Sequence, residues 1–322
     1  MCRWSAVFHS ANLQVEIKND MEIFAVDVGG SSIKYAVMND SLQILTRGKA
    51  ESRHLETPEQ FIACLKKLYE ENGSCPGGIA VSYCGELDDE TGEIFSGGSY
   101  GYMAGHNLKK MLKEACSCDV SVEHDGNSAG LAELRYGCLR GYRNAVAIVI
   151  GTGLGGALIL NDALYRGAHS FAGSASIMVR NINEPFTKYS WAFRSAGAAW
   201  PGNEYGKRTG GEALDGIAFF QKVAEKDETA IEILKQYCST LANILFTYQT
   251  VLDVEAFAIG GGISQQPVLK EYLQKAFDAI YEAPGMERLH LPKPELRICE
   301  YHNDANLIGA LAHHLDQINR RV

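Results

Sequence analysis

The 322-residue chain has no cluster of lysine and arginine, and its formal charge at pH 7 is −9. A surface for nucleic acid or for an anionic membrane needs a basic face, so neither partner is expected. No apolar run approaches the length of about 18 residues that a membrane helix requires. Nine cysteines are scattered from Cys2 to Cys299, an odd count without the dense spacing of a disulfide framework. Cys116 and Cys118 stand close together, but no second pair or histidine joins them at metal-ligand spacing. Residues 178–237 contain neither Cys nor His, so no zinc site is expected. The cysteines are read as structural thiols in a reducing cytoplasm. Residues 1–20 lack the apolar core and small-residue cleavage site of a signal peptide; they read as an N-terminal extension, a tail or an upstream start ahead of Met21.

What is present is a soluble globular composition, 46% hydrophobic and 21% charged, in a chain long enough for two packed lobes. "AVDVGGSSIKYAVM" at 25–38 runs apolar strand, glycine turn, alternating strand. A dinucleotide-binding glycine loop would open into a helix instead, so this stretch reads as a β-hairpin. A third strand, an amphipathic helix capped by Thr57 and Pro58, and the buried strand "GGIAVSYCG" follow. The second half repeats the rhythm with "NAVAIVIGTGLGGALILND", a long helix, and "VEAFAIGGGIS". No Gly/Ser/Pro linker divides the halves. The reading is an α/β fold of two lobes with duplicated cores and a central cleft. Its parts are an extension at 1–20, a small lobe at 21–120, a large lobe at 121–303, and a C-terminal helix at 304–322 that packs back on the small lobe. The stretch 181–215, rich in Trp, Tyr, Gly and Pro, reads as an insertion near the cleft.

Three glycine-rich turns follow apolar strands: "DVGGSSIK" at 27–34, "GTGLGGA" at 151–157 and "GGGIS" at 260–264. Each alone is explained by a hairpin turn that needs positive φ. Together, with Ser and Thr hydroxyls inside them, they fit a polyphosphate lying against backbone N–H groups. "VEHDGNSAGLAELRYG" then delivers Glu123, His124, Asp125 and Asn127 to the start of a helix of small residues. Asp125 alone could be a helix cap. Between two phosphate-type turns it becomes a candidate general base that orients an acceptor hydroxyl.

From about Met21 onward the chain resembles the ROK family of sugar kinases, within the two-lobed actin-like ATPase (ribonuclease H-like) fold. The resemblance rests on "FAVDVGGSSIKYAV", "EHDGNSAGLAE", "IGTGLGGALILNDALYRGAHSFAG", "FAIGGGIS" and "NDANLIGAL". "SGG" at 96–98 and "GGGISQQP" are closest in pattern to β-glucoside kinases. The resemblance implies an ATP- and magnesium-dependent kinase for a small-molecule sugar, acting as a homodimer. It implies Asp27 as holder of the nucleotide's magnesium, and Gly29, Gly30, Ser31 and Ser32 along the phosphates with Lys34 nearby. Gly151, Thr152 and Gly153 would face the β- and γ-phosphates, and Gly260, Gly261 and Gly262 the adenosine. Gly97, Gly98, Asn107, His124 and Asp125 would line the sugar site, with Asp125 taking the proton of the 6-hydroxyl. Lobe closure would exclude water.

The sugar side departs from the pattern. Ser174 stands where the family has a glutamate, Ile177 where it has a histidine, and His124 where it has an asparagine; the zinc-binding cysteine cluster is missing. Those changes point toward a C1-substituted sugar such as a β-glucoside, with Tyr100, Tyr102 or the aromatic insertion against the substituent. They equally suit a second reading, a non-catalytic sugar or nucleotide sensor. A ROK-type repressor would carry a DNA-binding winged helix ahead of the hairpin, a pattern that residues 1–20 do not show.

Overall fold

The structure, a computed structural model, describes residues 21–179, 181, 183, 185–187 and 190–320. The expectations for residues 1–20 and for Tyr189 lie outside the described residues. The first unit opens with an antiparallel meander of β1 (Ile23–Val28), β2 (Ser32–Met38) and β3 (Ile44–Glu51). Every residue of β1 is buried, as a central strand covered on both faces must be. In α1 (Pro58–Glu71), the Thr57 hydroxyl accepts the Gln60 N–H at 3.3 Å, and Pro58 occupies the first turn, where its missing N–H has no partner to lose. Then come β4 (Ile79–Tyr83), α2 (Leu108–Cys116) and β5 (Val120–His124), with β4 parallel to β1 and β5 parallel to β4.

A helix of small residues, α3 (Asp125–Arg135), leads into the second unit. Its meander is β6 (Ala145–Ile150), β7 (Leu154–Leu160) and β8 (Ala163–Tyr165). Four helices follow: α4 (Phe193–Ala196), α5 (Trp200–Thr209), α6 (Gly216–Ala224) and α7 (Glu228–Leu252). The unit closes with β9 (Ala256–Gly260), α8 (Pro267–Tyr281) and β10 (Glu295–Ile298), and α9 (Ala305–Asn319) ends the described chain. The sheet orders are β3-β2-β1-β4-β5 and β10-β9-β6-β7-β8. Read from opposite ends they are the same arrangement, a meander whose first strand is followed across the sheet by two parallel strands in succession. The rhythm noticed in the sequence is this shared topology.

β5 corrects the division of the chain at residue 120. Its pairs run from Ile79↔Val120 to Tyr83↔His124, so it completes the first sheet. The sequence grouped it with α3, and α3 does face the other way, against β7. α9 lies across β1, β4 and β5 and also against α3, so two helices fill the seam between the sheets. They come close because glycine permits it: a Cβ at Gly309 would sit 1.7 Å from the Ser128 carbonyl oxygen, and one at Gly130 would sit 2.2 Å from the Ala157 Cβ. This contact fixes the start of α3, and with it Asp125. In the irregular stretch, Trp200 stacks on Tyr237 at 5.9 Å, and the Tyr205 hydroxyl donates to Asp227 at 3.0 Å, so aromatic packing anchors it.

Candidate active site

An open α/β sheet binds ligands in the crevice outside the carboxyl ends of its parallel strands. Here the ends of β1, β4, β5 and β6 converge on a cleft of about 430 Å³. One wall is made of turns. Gly30 follows β1, and Gly151, Thr152 and Gly153 join β6 to β7, with the Gly151 N–H donating to the Gly153 carbonyl at 3.0 Å. Side chains would crowd this wall: a Cβ at Gly30 would lie 2.7 Å from Ser99 Oγ, and one at Gly153 would lie 2.5 Å from Ser176 Oγ. Beside it, buried Asp27 accepts from Asn306 Nδ2 at 2.9 Å and pairs with Lys34 Nζ at 3.4 Å. Burial raises the Asp27 pKa, against the opposing pull of Asn306 and Lys34. A backbone cradle with one carboxylate at its edge fits a magnesium-bound nucleotide, and Asp27 is the residue that would hold the metal.

The rest of the expected nucleotide set lies outside the cleft lining. Gly29, Ser31 and Ser32 close the β1–β2 turn, where the Gly29 N–H donates to the Ser32 carbonyl at 3.1 Å. Gly260, Gly261 and Gly262 end β9, and Gly261 has φ +95° with the Ile150 carbonyl where a side chain would be. Close approach of two strand ends requires glycine there.

The opposite wall carries side chains. His124 and Asp125 arrive from β5 and α3, Cys84, Glu86 and Ser99 from the segment after β4, and Phe171, Ser174, Ser176 and Ile177 from the segment after β8. His124 Nδ1 accepts the Gly126 N–H at 3.2 Å. The neutral ring therefore carries its proton on Nε2, which lies 3.4 Å from Asp125 Oδ1 and 4.0 Å from Glu86 Oε1. Asp125 Oδ1 also accepts the Gly126 N–H, at 2.6 Å. Burial raises the Glu86 pKa; His124 opposes the rise, Asp125 adds to it, and a bond from Ser174 Oγ at 3.4 Å opposes it.

Beneath this wall, Glu123 is fully buried. Its Oε1 accepts from the His124 N–H and from Asn127 Nδ2, both at 3.0 Å, and its Oε2 accepts from Arg166 Nε at 3.1 Å. Arg166 Nε also pairs with Asp89 Oδ2 at 3.0 Å. His313 of α9 lies 3.4 Å from Glu123 through Nδ1; burial and the Arg166 charge push its pKa down to about 3, so it is neutral near pH 7. Asp89, Arg166, Glu123 and His313 thus tie four separate segments to the backbone that presents Asp125.

Four residues expected near the acceptor lie outside the cleft lining. Asn107 caps α2, its Oδ1 accepting from Lys110 N at 2.8 Å and its Nδ2 donating to the Thr91 carbonyl at 2.9 Å, so both ends of its amide are used locally. Gly97 and Gly98 lie behind the lining: Tyr83 Oη donates to the Gly97 carbonyl at 3.0 Å, and Gly98, at φ +57°, abuts the Cys84 carbonyl. Tyr100 is buried in the first unit's core, its hydroxyl donating to the Gly29 carbonyl at 2.7 Å, so it presents nothing to a sugar substituent. Exposed Phe171 and Ile177 form the apolar surface instead. Glu86, Ser99, Ser176, Phe171 and Asn306 were not anticipated. For Glu86 the signal was available, since it lies three residues past the end of β4, where the crevice rule directs attention.

The model of the ROK family matches residues 23–185 and 195–317. The chain belongs to the ROK family. A β-glucoside kinase of Listeria monocytogenes serovar 1/2a is 27% identical over 303 residues, covering 93% of this chain and 99% of that one. A β-glucoside kinase of Klebsiella pneumoniae is 26% identical over 308 residues, covering 93% and 98%. Among solved structures, a ROK family protein from Streptococcus pneumoniae TIGR4 in complex with sucrose is 29% identical, with a TM-score of 0.82, covering 93% of this chain and all of that one. A ROK family glucokinase from Streptomyces griseus, in complex with glucose and AMPPNP, shares the fold at 19% identity, with a TM-score of 0.78, covering 90% of this chain and 98% of that one. The actin-like ATPase fold expected from the sequence is the fold of this ROK protein.

Proposed function

We propose that this ROK protein is an ATP-dependent sugar kinase that phosphorylates O6 of a hexose, with a C1-substituted sugar such as a β-glucoside as preferred acceptor. The observation that carries the reading is the position of Asp125. Its carboxylate stands at the N-terminus of α3, in one cleft with the glycine turn at 151–153 on one side and Glu86, His124 and Ser174 on the other. With magnesium, ATP supplies the transferable phosphoryl group and part of the charge neutralisation. Asp125 accepts the proton of the attacking hydroxyl as its oxygen forms the new bond to the γ-phosphorus and the bond from that phosphorus to the bridging oxygen breaks, releasing ADP. The His124 Nε2–H orients that carboxylate. The backbone N–H groups of Thr152 and Gly153 cradle the phosphates, and the positive end of α3 favours the charge that develops beside it.

Two features support the C1 preference. Ser174 is a short neutral group, and Phe171 and Ile177 present apolar surface at 46% and 40% exposure, which suits an aglycone better than a free anomeric hydroxyl. The curated relatives that act on β-glucosides agree with it. The test uses Mg-ATP and an aryl β-glucoside, with the phosphorylated carbon located by NMR. Asp125→Asn should lower kcat by about 10² to 10⁴ while nucleotide binding persists. A variant that turns over at the wild-type rate overturns the assignment of the base. Failure of the wild type to phosphorylate any sugar favours the sensor reading.

A further inference from the structure

The acceptor end of the cleft contains an acid that the proton transfer does not use. Glu86 reaches in from the segment between β4 and α2, and its side chain keeps 26% of its surface exposed. Among the described residues, the one hydrogen bond to its carboxylate is the long one from Ser174 Oγ at 3.4 Å. A carboxylate offers about four acceptor positions, so most of its capacity points unspent into the cleft. Its backbone, by contrast, is held firmly: the Phe95 and Ser96 N–H groups donate to the Glu86 carbonyl at 2.8 and 3.1 Å. Beside it on the same wall, His124 Nε2 lies 4.0 Å from Glu86 Oε1, a gap that one hydroxyl can bridge. Among the described residues, no lysine or arginine lines the cleft, so no cation competes for the carboxylate.

We propose that Glu86 is the specificity-determining residue of the acceptor site, accepting hydrogen bonds from ring hydroxyls of the sugar while Ser174 and His124 complete the grip beside it. The inference rests on the sugar-kinase reading. It names a class of acceptor: a polyhydroxylated sugar carrying no anionic group near the gripped hydroxyls, because Glu86 and Asp125 would repel one. It also separates two tasks within the acceptor wall. The N-terminus of α3 carries the base, and the loop after β4 tests the hydroxyl pattern. A site built to bond a hydroxyl discriminates strongly against analogues that lack it, since its own polar group is then left unpaired.

The experiment compares wild type, Glu86→Gln and Glu86→Ala by steady-state kinetics and by calorimetric binding of an aryl β-glucoside and of glucose, with melting temperature as a check on folding. Loss of a charge-assisted bond predicts an acceptor KM and Kd raised about 10- to 100-fold in Glu86→Ala, and less in Glu86→Gln, which still accepts through its amide oxygen. The KM for ATP should stay within about twofold, and kcat should fall far less than in Asp125→Asn. Unchanged acceptor KM and Kd in both variants, with turnover still lost in Asp125→Asn, overturns the role of Glu86 and leaves the kinase reading standing. Absence of sugar binding by the wild type overturns both.

Discussion

The two walls of the cleft were built under different rules. On the proposed reading the nucleotide wall is backbone, where N–H groups would meet phosphates and the side chain's job is to be absent. Glycine is the residue that satisfies this, so "DVGG" and "GTGLGG" stand out in the sequence. The acceptor wall is made of side chains from three segments far apart in the chain, Glu86, His124–Asp125 and Ser174–Ile177. No local pattern announces such a set, because proximity there is a product of sheet order. β4 and β5 are adjacent parallel strands, and this alone brings residue 86 near residue 124. The comparison teaches that a site suited to phosphate is written in backbone constraints, whereas substrate choice is written in tertiary contacts that a single sequence hides.

The first way to test this division is to loosen the acceptor wall from beneath. Arg166→Met leaves the buried carboxylates of Glu123 and Asp89 without their cation. Breaking a buried pair typically costs about 3–5 kcal/mol, and because Arg166 keeps 22% of its side chain exposed the low end, about 3 kcal/mol, is expected. Urea unfolding would measure it. Acceptor turnover should fall with it, through the Glu123 bond to the His124 N–H, while nucleotide affinity of the folded fraction holds. Equal loss on both substrates would show that the walls are not independent.

A smaller effect of opposite sign is expected on the nucleotide wall. Burial raises the Asp27 pKa in the folded protein, so folding favours the protonated acid. Its contribution to stability is present below the unfolded pKa, near 4, and is lost as pH rises through the folded value. Asp27→Asn removes that loss. The variant without nucleotide should therefore melt above wild type at pH 7, and the gap should narrow toward pH 4, while magnesium-dependent stabilisation by ATP disappears. A variant that melts lower at pH 7 would mean that the Asn306 and Lys34 contacts outweigh the burial of the charge.

How much was legible follows the same line. The strands, the cap at Thr57 and the duplicated rhythm were readable because hydrophobic period and cap chemistry are local. The place of β5 was not, since its partner is set by parallel pairing across a helix rather than by its neighbours in sequence. Asn107 was expected at the sugar, yet its side chain closes a helix, and Tyr100, one of the alternatives offered for an aglycone beside Tyr102 and the aromatic insertion, packs its ring in the core against Phe61 at 5.1 Å. In each case the residue type was suitable and the direction of the side chain decided otherwise. Gly260, Gly261 and Gly262 show the converse: a motif shaped like a binding turn also meets the steric demand of two strand ends in contact.

The central claim, transfer of phosphate from ATP to O6 of a C1-substituted sugar, is tested most directly by kcat/KM with Mg-ATP for glucose, N-acetylmannosamine, cellobiose and an aryl β-glucoside, measured side by side. The account predicts that the two glucosides exceed free glucose, because Ser174, Phe171 and Ile177 suit a substituent at C1. Equal or higher efficiency with glucose would contradict it.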